Sequence, residues 1–336
     1  MAGLNNSKKR KTVEYGRYGY LFIAPFFIVY AVFQLWPLIY TVSLSFCEMF
    51  TDPMFSKQVG PNFNGLTNYK DVLFSLDGKF LDTYTVQALG NTLLMWFINF
   101  VPQIVLALIL AAWFTDTKVK LKGQGAYKIM VFMPNIITAA TISVLFYSLF
   151  NYPAGPINIK LLDLGIIKEP YFFLNEKWAA RLIISFINFW MWYGNTMIVL
   201  IAGILGISPS LFEAARVDGA NSLQIFFKVT LPLLRPILLY SLVQSAIGGL
   251  QMYDIPKLLT QSGEGDPDYT TRTITMYIQS LSQTGSKQIG KAAAASMVLF
   301  AVTLIISLGM FYVMRDKDAI KEKKMIKEAQ RRANKA

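Results

Sequence analysis

Residues 208–237, SPSLFEAARVDGANSLQIFFKVTLPLLRPI, form a charged interruption between two strongly apolar runs. The charged side chains of this stretch are Glu213, Arg216, Asp218, Lys228 and Arg235. Gly219 can end a helix, and Asn221 two residues later can begin another. The pattern therefore predicts two short helices joined at a glycine elbow, lying at a membrane surface between two spans.

The ends of these two helices can also be predicted. Ser210 and Glu213 have the S-x-x-E spacing of a capping box, which places Glu213 in the first turn of the first helix. The second helix carries Leu223 and Phe226 on one face. Leu231-Pro232 is expected to end it and to begin the next span.

The composition of the chain indicates a membrane protein. Of its 336 residues, 54% are hydrophobic and only 15% are charged, whereas soluble domains are about a quarter charged. The net charge is +12, but the basic residues flank apolar segments, as topology signals do, so no nucleic-acid partner is expected.

The chemistry that the chain lacks argues against an enzyme. It has no histidine, and Cys47 is its single cysteine, which excludes Ser-His and Cys-His catalysis, an intrachain disulfide and a thiolate metal cluster. No GxxxxGK[ST] phosphate loop occurs. We therefore expect no metal, no cofactor and no ATP bound by this chain.

Six apolar runs are long enough to cross a bilayer. The first follows the basic N-terminus and, at about 25 residues, is too long for the apolar core of a signal peptide. The other five lie at about 88–113, 127–150, 180–206, 233–255 and 291–314. Because backbone groups in lipid must be paired within the segment, the spans are predicted to be helices. The expected fold is all-α, with a six-span membrane domain over 20–314.

The distribution of Lys and Arg predicts the orientation. Basic residues are in excess in the flank 1–19, in the loop 114–127 (Lys118, Lys120 and Lys122) and in the tail 315–336. The positive-inside rule places these segments, and the stretch 207–232, in the cytoplasm. A multi-pass protein of the cell membrane with both termini cytoplasmic is expected.

The segment EAARVDGANSLQIFFKVTLP resembles the EAA motif of binding-protein-dependent ABC importer permeases. The matching residues are Glu213, Ala214, Ala215, Gly219, Leu231 and Pro232, while Val229 replaces the isoleucine of the pattern. NFNGLTNYKDVL (62–73) and ALGNTLL (88–94) further resemble the sugar permeases of the maltose-transporter type. This resemblance implies a type I ABC importer permease fold.

The resemblance also implies partners and a mechanism. The EAA loop, 207–232, would seat on a separate ABC ATPase that binds ATP-Mg, and the six matching residues would couple it to the membrane helices. A second permease subunit, an extracytoplasmic solute-binding protein and a sugar or oligosaccharide would complete the system. The expected mechanism is alternating access.

A sugar site is predicted in the fourth span. Asn188, Trp192 and Asn195 follow at i, i+4 and i+7 and share a helix face. The resemblance adds Trp190 as a stacking residue, together with contacts in the third and fifth spans. The predicted substrate-binding set is Asn135, Asn188, Trp190, Trp192, Asn195, Ser245 and Gln251. The alternative for the tryptophans is an interfacial aromatic belt.

Other function classes remain open on the sequence. An ion-gradient-driven secondary transporter is the main alternative, but such proteins usually carry acids within their spans and interrupted helices in matched halves. The spans here are nearly free of Asp and Glu. A membrane-embedded enzyme lacks its usual acid–base and metal-binding groups, and a membrane scaffold without transport activity is the last alternative.

Overall fold

The computed structural model describes residues 16–74, 83–116, 122–260, 262–315 and 325. Most of the predicted basic flank and tail, together with Lys118 and Lys120, lies outside the described residues. The helices are α1 (Gly16–Tyr30), α2 (Trp36–Ser45), α3 (Thr67–Leu73), α4 (Tyr84–Thr115), α5 (Gln124–Ile136), α6 (Ala139–Leu149), α7 (Pro156–Asp163), α8 (Lys177–Leu205), α9 (Pro209–Val217), α10 (Ser222–Ile225), α11 (Leu231–Leu233), α12 (Arg235–Leu250), α13 (Asp254–Leu259), α14 (Ile274–Gln283) and α15 (Ile289–Val313). π-helical turns at Ala31–Leu35 and Phe226–Thr230 join α1 to α2 and α10 to α11.

Four described helices are long and apolar enough to cross a bilayer, and two bent helix pairs raise the number to six, the predicted count, if each pair is one span. Spans one, two, four and six are Tyr18–Ser45, Tyr84–Thr115, Lys177–Leu205 and Ile289–Val313. Each is apolar and long enough to cross a bilayer. Span three, Gln124–Ile136 plus Ala139–Leu149, and span five, Ser222–Leu233 plus Arg235–Leu259, are helix pairs bent by 90° and 72°. The prediction of an all-α membrane fold is confirmed.

Two bends that were not predicted from the sequence interrupt these helix pairs. Thr138 adopts an extended conformation (φ −66°, ψ 146°) and its hydroxyl accepts a hydrogen bond from Thr141 N at 3.3 Å, so it caps a new helix within span three. In span five the helix does not end at Leu231-Pro232 but continues to Leu233. Pro236 has no N–H to donate to the preceding turn, and the axis changes direction there.

Spans two and four pack side by side and form the centre of the fold. At one end Met95 packs with Ile184 and Ile187, and at the other Ala107 packs with Leu200. Small side chains let the helix backbones approach closely, which favours association in lipid.

Polar contacts connect the loops that follow α2 and α13 to the spans. A hairpin that an all-helical prediction does not include pairs β1 (Cys47–Thr51) with β2 (Gln58–Phe63) in antiparallel orientation. The buried Arg181 donates from Nε to the Thr270 carbonyl at 2.8 Å and from Nη2 to Asn91 Oδ1 at 2.6 Å. Arg181 therefore fastens the loop that precedes α14 to spans two and four.

Candidate functional site

The EAA loop has the predicted two-helix form. Gly219 has φ +80° between α9 and α10, a conformation that is costly for residues with a Cβ. Asn221 caps α10 through reciprocal hydrogen bonds with Gln224, both 2.9 Å long. The glycine elbow and the start at Asn221 are confirmed.

The predicted capping box of the first helix is wrong. Pro209 is the first residue of α9 and Ser208 is its N-cap, so Glu213 lies in the second turn. The Ser210 hydroxyl instead shares a hydrogen bond of 2.8 Å with the Ser208 hydroxyl. A proline is favoured at the first helical position because its fixed φ suits the helix and its missing N–H is not needed there.

The loop is exposed at its elbow and anchored at both ends. Glu213 and Ala214 are exposed and Ala215 is half-buried, whereas Phe212 and Leu231 pack against the inner core of spans two and four. The half-buried Pro232 follows Leu231. The loop is therefore held by packing on either side of its exposed elbow.

Apolar side chains are also exposed along this loop. Val217 is 88% exposed, Leu223 70% and Phe227 60%. Glu213 and Arg216 of α9 are exposed as well, so the loop presents both apolar and charged side chains.

A separate cavity of about 160 Å³ lies within the spans. It is enclosed by helices α4, α8 and α12, which belong to spans two, four and five. Its lining residues are Asn99, Gln103, Asn188, Trp192, Asn195, Thr196, Val199, Tyr240, Ser241, Gln244, Ser245, Gly248 and Gly249. Amides and hydroxyls predominate, and none of these residues is charged.

Gln103 connects the three walls of the cavity. Its Nε2 donates to Thr196 Oγ1 at 2.9 Å, and its Oε1 accepts from Ser245 Oγ at 3.3 Å. Asn188 donates to the Ile184 carbonyl at 2.9 Å, which holds its amide in place. Trp192 is 48% exposed and offers a flat apolar face. Such a wall can hydrogen-bond a polyhydroxylated molecule and pack against one of its faces.

The cavity brings together four of the seven predicted substrate-binding residues, Asn188, Trp192, Asn195 and Ser245. Trp190 does not line it and instead packs against Phe146, with ring centroids 5.8 Å apart. Residues two apart on a helix are rotated by about 200° around its axis, so Trp190 and Trp192 lie on nearly opposite faces.

The other two predicted residues also lie elsewhere. Asn135 is half-buried next to the break in span three, and Gln251 is exposed in the turn after α12.

Sequence reasoning missed the amides that span two contributes. Asn99 and Gln103 are at i and i+4 in α4, and both are about 95% buried. Their signal was present in the sequence, since amides within an apolar span usually face a helix interface or a polar cavity.

Comparison with known proteins identifies the family. The family described as "Binding-protein-dependent transport system inner membrane component" matches residues 90–320. The lactose transport system permease protein LacF of Rhizobium radiobacter is 31% identical over 299 residues, which are 89% of this chain and 94% of LacF. The arabinooligosaccharides transport system permease protein AraP of Bacillus subtilis is 29% identical over 290 residues, 86% of each chain.

A solved structure shares the fold. A chain from the crystal structure of a bacterial ABC transporter involved in the import of the acidic polysaccharide alginate matches with a TM-score of 0.71 at 24% identity, covering 90% of this chain and 98% of that one. The predicted ABC importer permease fold is thereby confirmed, and with residues 90–320 matched, the chain belongs to the family of binding-protein-dependent transport system inner membrane components.

Proposed function

We propose that this chain is the permease subunit of an ABC importer that carries a neutral sugar or oligosaccharide through the α4–α8–α12 cavity by alternating access. The observation that carries the proposal is the lining of this cavity, in which amide and hydroxyl side chains outnumber the others, the ring of Trp192 is exposed and no described residue is charged.

The uncharged lining favours a neutral saccharide over an acidic one. A carboxylate moved from water into a membrane-embedded cavity requires a paired cation, because its desolvation is otherwise costly. Asn188, Gln103 and Asn195 instead offer donors and acceptors to hydroxyls. The names of LacF and AraP, which refer to lactose and arabinooligosaccharides, support a saccharide substrate.

Coupling to ATP hydrolysis is assigned to the EAA loop. Its exposed elbow would dock on a separate ABC ATPase, and Phe212 and Leu231 would pass the movement of that partner to spans two and four. Glu213 offers an anion to a basic partner, and Ala214 allows close approach. ATP-Mg would bind to the ATPase, so the chain itself is a transport subunit and not an enzyme.

The remaining partners follow from the family. A second permease subunit would complete the pathway, and an extracytoplasmic solute-binding protein would deliver the saccharide to the outer face. The termini and the EAA loop are assigned to the cytoplasm on the positive-inside rule. An ion-gradient-driven secondary transporter is not favoured, because the matched family consists of binding-protein-dependent components.

The test is saccharide uptake by the complete transporter in proteoliposomes, normalised to inserted protein. Lactose, arabinobiose and an alginate disaccharide are compared. We expect uptake of a neutral sugar and none of the alginate fragment. Trp192→Ala should abolish that uptake and Trp192→Phe should retain part of it, while Trp36→Ala, at a residue of span one that is 66% exposed, serves as a control for loss of an outward-facing ring.

Two results would contradict the proposal. Uptake of the alginate fragment alone, or of none of the three saccharides, would argue against a neutral sugar. Equal losses of uptake in Trp192→Ala and Trp192→Phe, in proportion to reduced membrane insertion, would indicate that Trp192 belongs to an interfacial aromatic belt.

A further inference from the structure

Trp96 extends the polar face of α4 by one turn beyond the cavity. Trp96, Asn99 and Gln103 stand at i, i+3 and i+7, so they share one side of the helix. The latter two line the cavity, whereas Trp96 is buried at 7% exposure behind it. Its ring packs against Phe100, with centroids 4.9 Å apart.

The indole N–H of Trp96 is buried without an acceptor among the described residues. Buried tryptophans usually place this group on a hydrogen-bond partner, and an unpaired buried donor is destabilising. The apolar side chains that surround the ring include those of Ala246 and Leu250 of α12. Apolar packing therefore does not by itself explain a side chain that carries a hydrogen-bond donor at this position.

Gly249 of α12 lies directly against the edge of this indole. A Cβ at residue 249 would overlap Cδ1 of Trp96 and would lie 2.8 Å from its Nε1. Gly249 itself lines the cavity. The indole edge therefore rests on the outer side of the Gly249 backbone, and the cavity lies on the other.

The helix that carries Gly249 is bounded by breaks at both ends. α12 follows the 72° bend of span five at Leu234 and ends at Leu250, before a separate turn of helix begins at Asp254. Such a segment can shift as one body, because the backbone changes are confined to its ends. Alternating access requires a shift of this kind between the helices that enclose the cavity.

We propose that the Trp96 indole N–H is a hydrogen-bond donor to a saccharide hydroxyl, covered by Gly249 in this conformation and uncovered when α12 moves relative to α4. Trp96 is thus a specificity-determining residue that contacts the saccharide in only one state of the transport cycle. The inference rests on the proposed saccharide cavity.

The decisive variant is Trp96→Phe, which keeps an aromatic ring and removes the donor. The probe is the better transported of lactose and arabinobiose. The half-saturating concentration should rise about two- to tenfold, the range of one neutral hydrogen bond. Thermal stability of the complex should change little, because the loss of an unpaired donor offsets the small cavity that the phenyl ring leaves. Trp36→Phe, at an exposed ring of span one, is the matched control and should leave uptake unchanged.

Deoxy sugars identify the accepting oxygen. One monodeoxy derivative of the probe should lack the hydroxyl that accepts from Trp96. In the wild type, its half-saturating concentration should exceed that of the parent sugar by the same factor that Trp96→Phe causes with the parent sugar. That derivative should lose nothing further in the variant, because the interaction is already absent. Losses that add fully for every derivative would overturn the proposal.

A spectroscopic measurement covers the case in which Trp96→Phe assembles poorly. In a Trp192→Phe background, the indole that lines the cavity is absent. Saturating saccharide should then shift the indole N–H resonance of the buried Trp96. Absence of any shift would overturn the proposal.

The proposed function fails separately from this inference. Unchanged uptake in Trp96→Phe together with lost uptake in Trp192→Ala refutes only the role of Trp96. Full uptake in Trp192→Ala refutes the saccharide cavity itself.

Discussion

Two adjacent glycines of α12 provide a matched test of the packing between spans two and five. No atom lies within 4 Å of the position that a Cβ would take at Gly248, whereas at Gly249 it would overlap the Trp96 ring. Alanine at 248 should stabilise by about 0.5–1 kcal/mol through lost freedom of the unfolded backbone. Alanine at 249 should destabilise by about 1–3 kcal/mol, the usual cost of overpacking. The expected difference between the two variants is therefore about 1.5–4 kcal/mol.

The assay is thermal unfolding of the assembled transporter in detergent. Gly249→Ala should unfold several degrees below Gly248→Ala, since 1 kcal/mol shifts Tm by about 2–4 °C in domains of 150–250 residues and by less in a larger complex. Replacing Trp96 by Leu should cost stability in the wild type but restore it in Gly249→Ala, because the smaller side chain leaves room for the new methyl group. Equal stability of the two alanine variants, or no rescue by Trp96→Leu, would refute the contact between Gly249 and the indole.

Three further predictions concern the EAA loop and the hydrogen bonds of Arg181. Glu213→Lys should leave membrane expression normal but reduce substrate-stimulated ATP hydrolysis, because charge reversal at a contact weakens docking rather than folding; normal transport in this variant would contradict the coupling role. Gly219→Val should reduce transport more than Gly219→Ala, since the site is open and only its positive φ opposes a side chain; normal uptake in both would contradict the elbow. Arg181→Gln should lower stability by about 1–3 kcal/mol, because the Thr270 carbonyl and the Asn91 amide oxygen lose their buried donor; an unchanged Tm would contradict this.

The membrane fold and the EAA elbow could be predicted because their signals are local. An apolar run of bilayer length must pair its backbone within itself, which makes it a helix whatever its neighbours are. The elbow likewise depends on Gly219 and on the Asn221 cap, each of which acts within a few residues. The same reasoning failed at Ser210, where two helix starts compete within three residues and Pro209 with Ser208 supplies the observed one.

The candidate site could be predicted only where one helix face carries it. Asn188, Trp192 and Asn195 are aligned by the pitch of α8 alone, so their spacing was sufficient. Which side of α8 faces a cavity depends on α4 and α12, and this excluded Trp190. The side-chain amide of Gln103 hydrogen-bonds Thr196 and Ser245, which are 93 and 142 positions further along the chain. No local sequence pattern encodes contacts between positions so far apart.

The sequence by itself thus determined the helical nature of the spans, the form of the EAA loop and one wall of the cavity, because each follows from backbone pairing or helical periodicity within a segment. Only the tertiary structure decided the bends in spans three and five, the closing walls from α4 and α12, and the burial of Trp96 against Gly249. These features depend on how closely helices distant in the chain approach one another. That approach is set by the volumes of facing side chains, down to the absence of a single Cβ at residue 249.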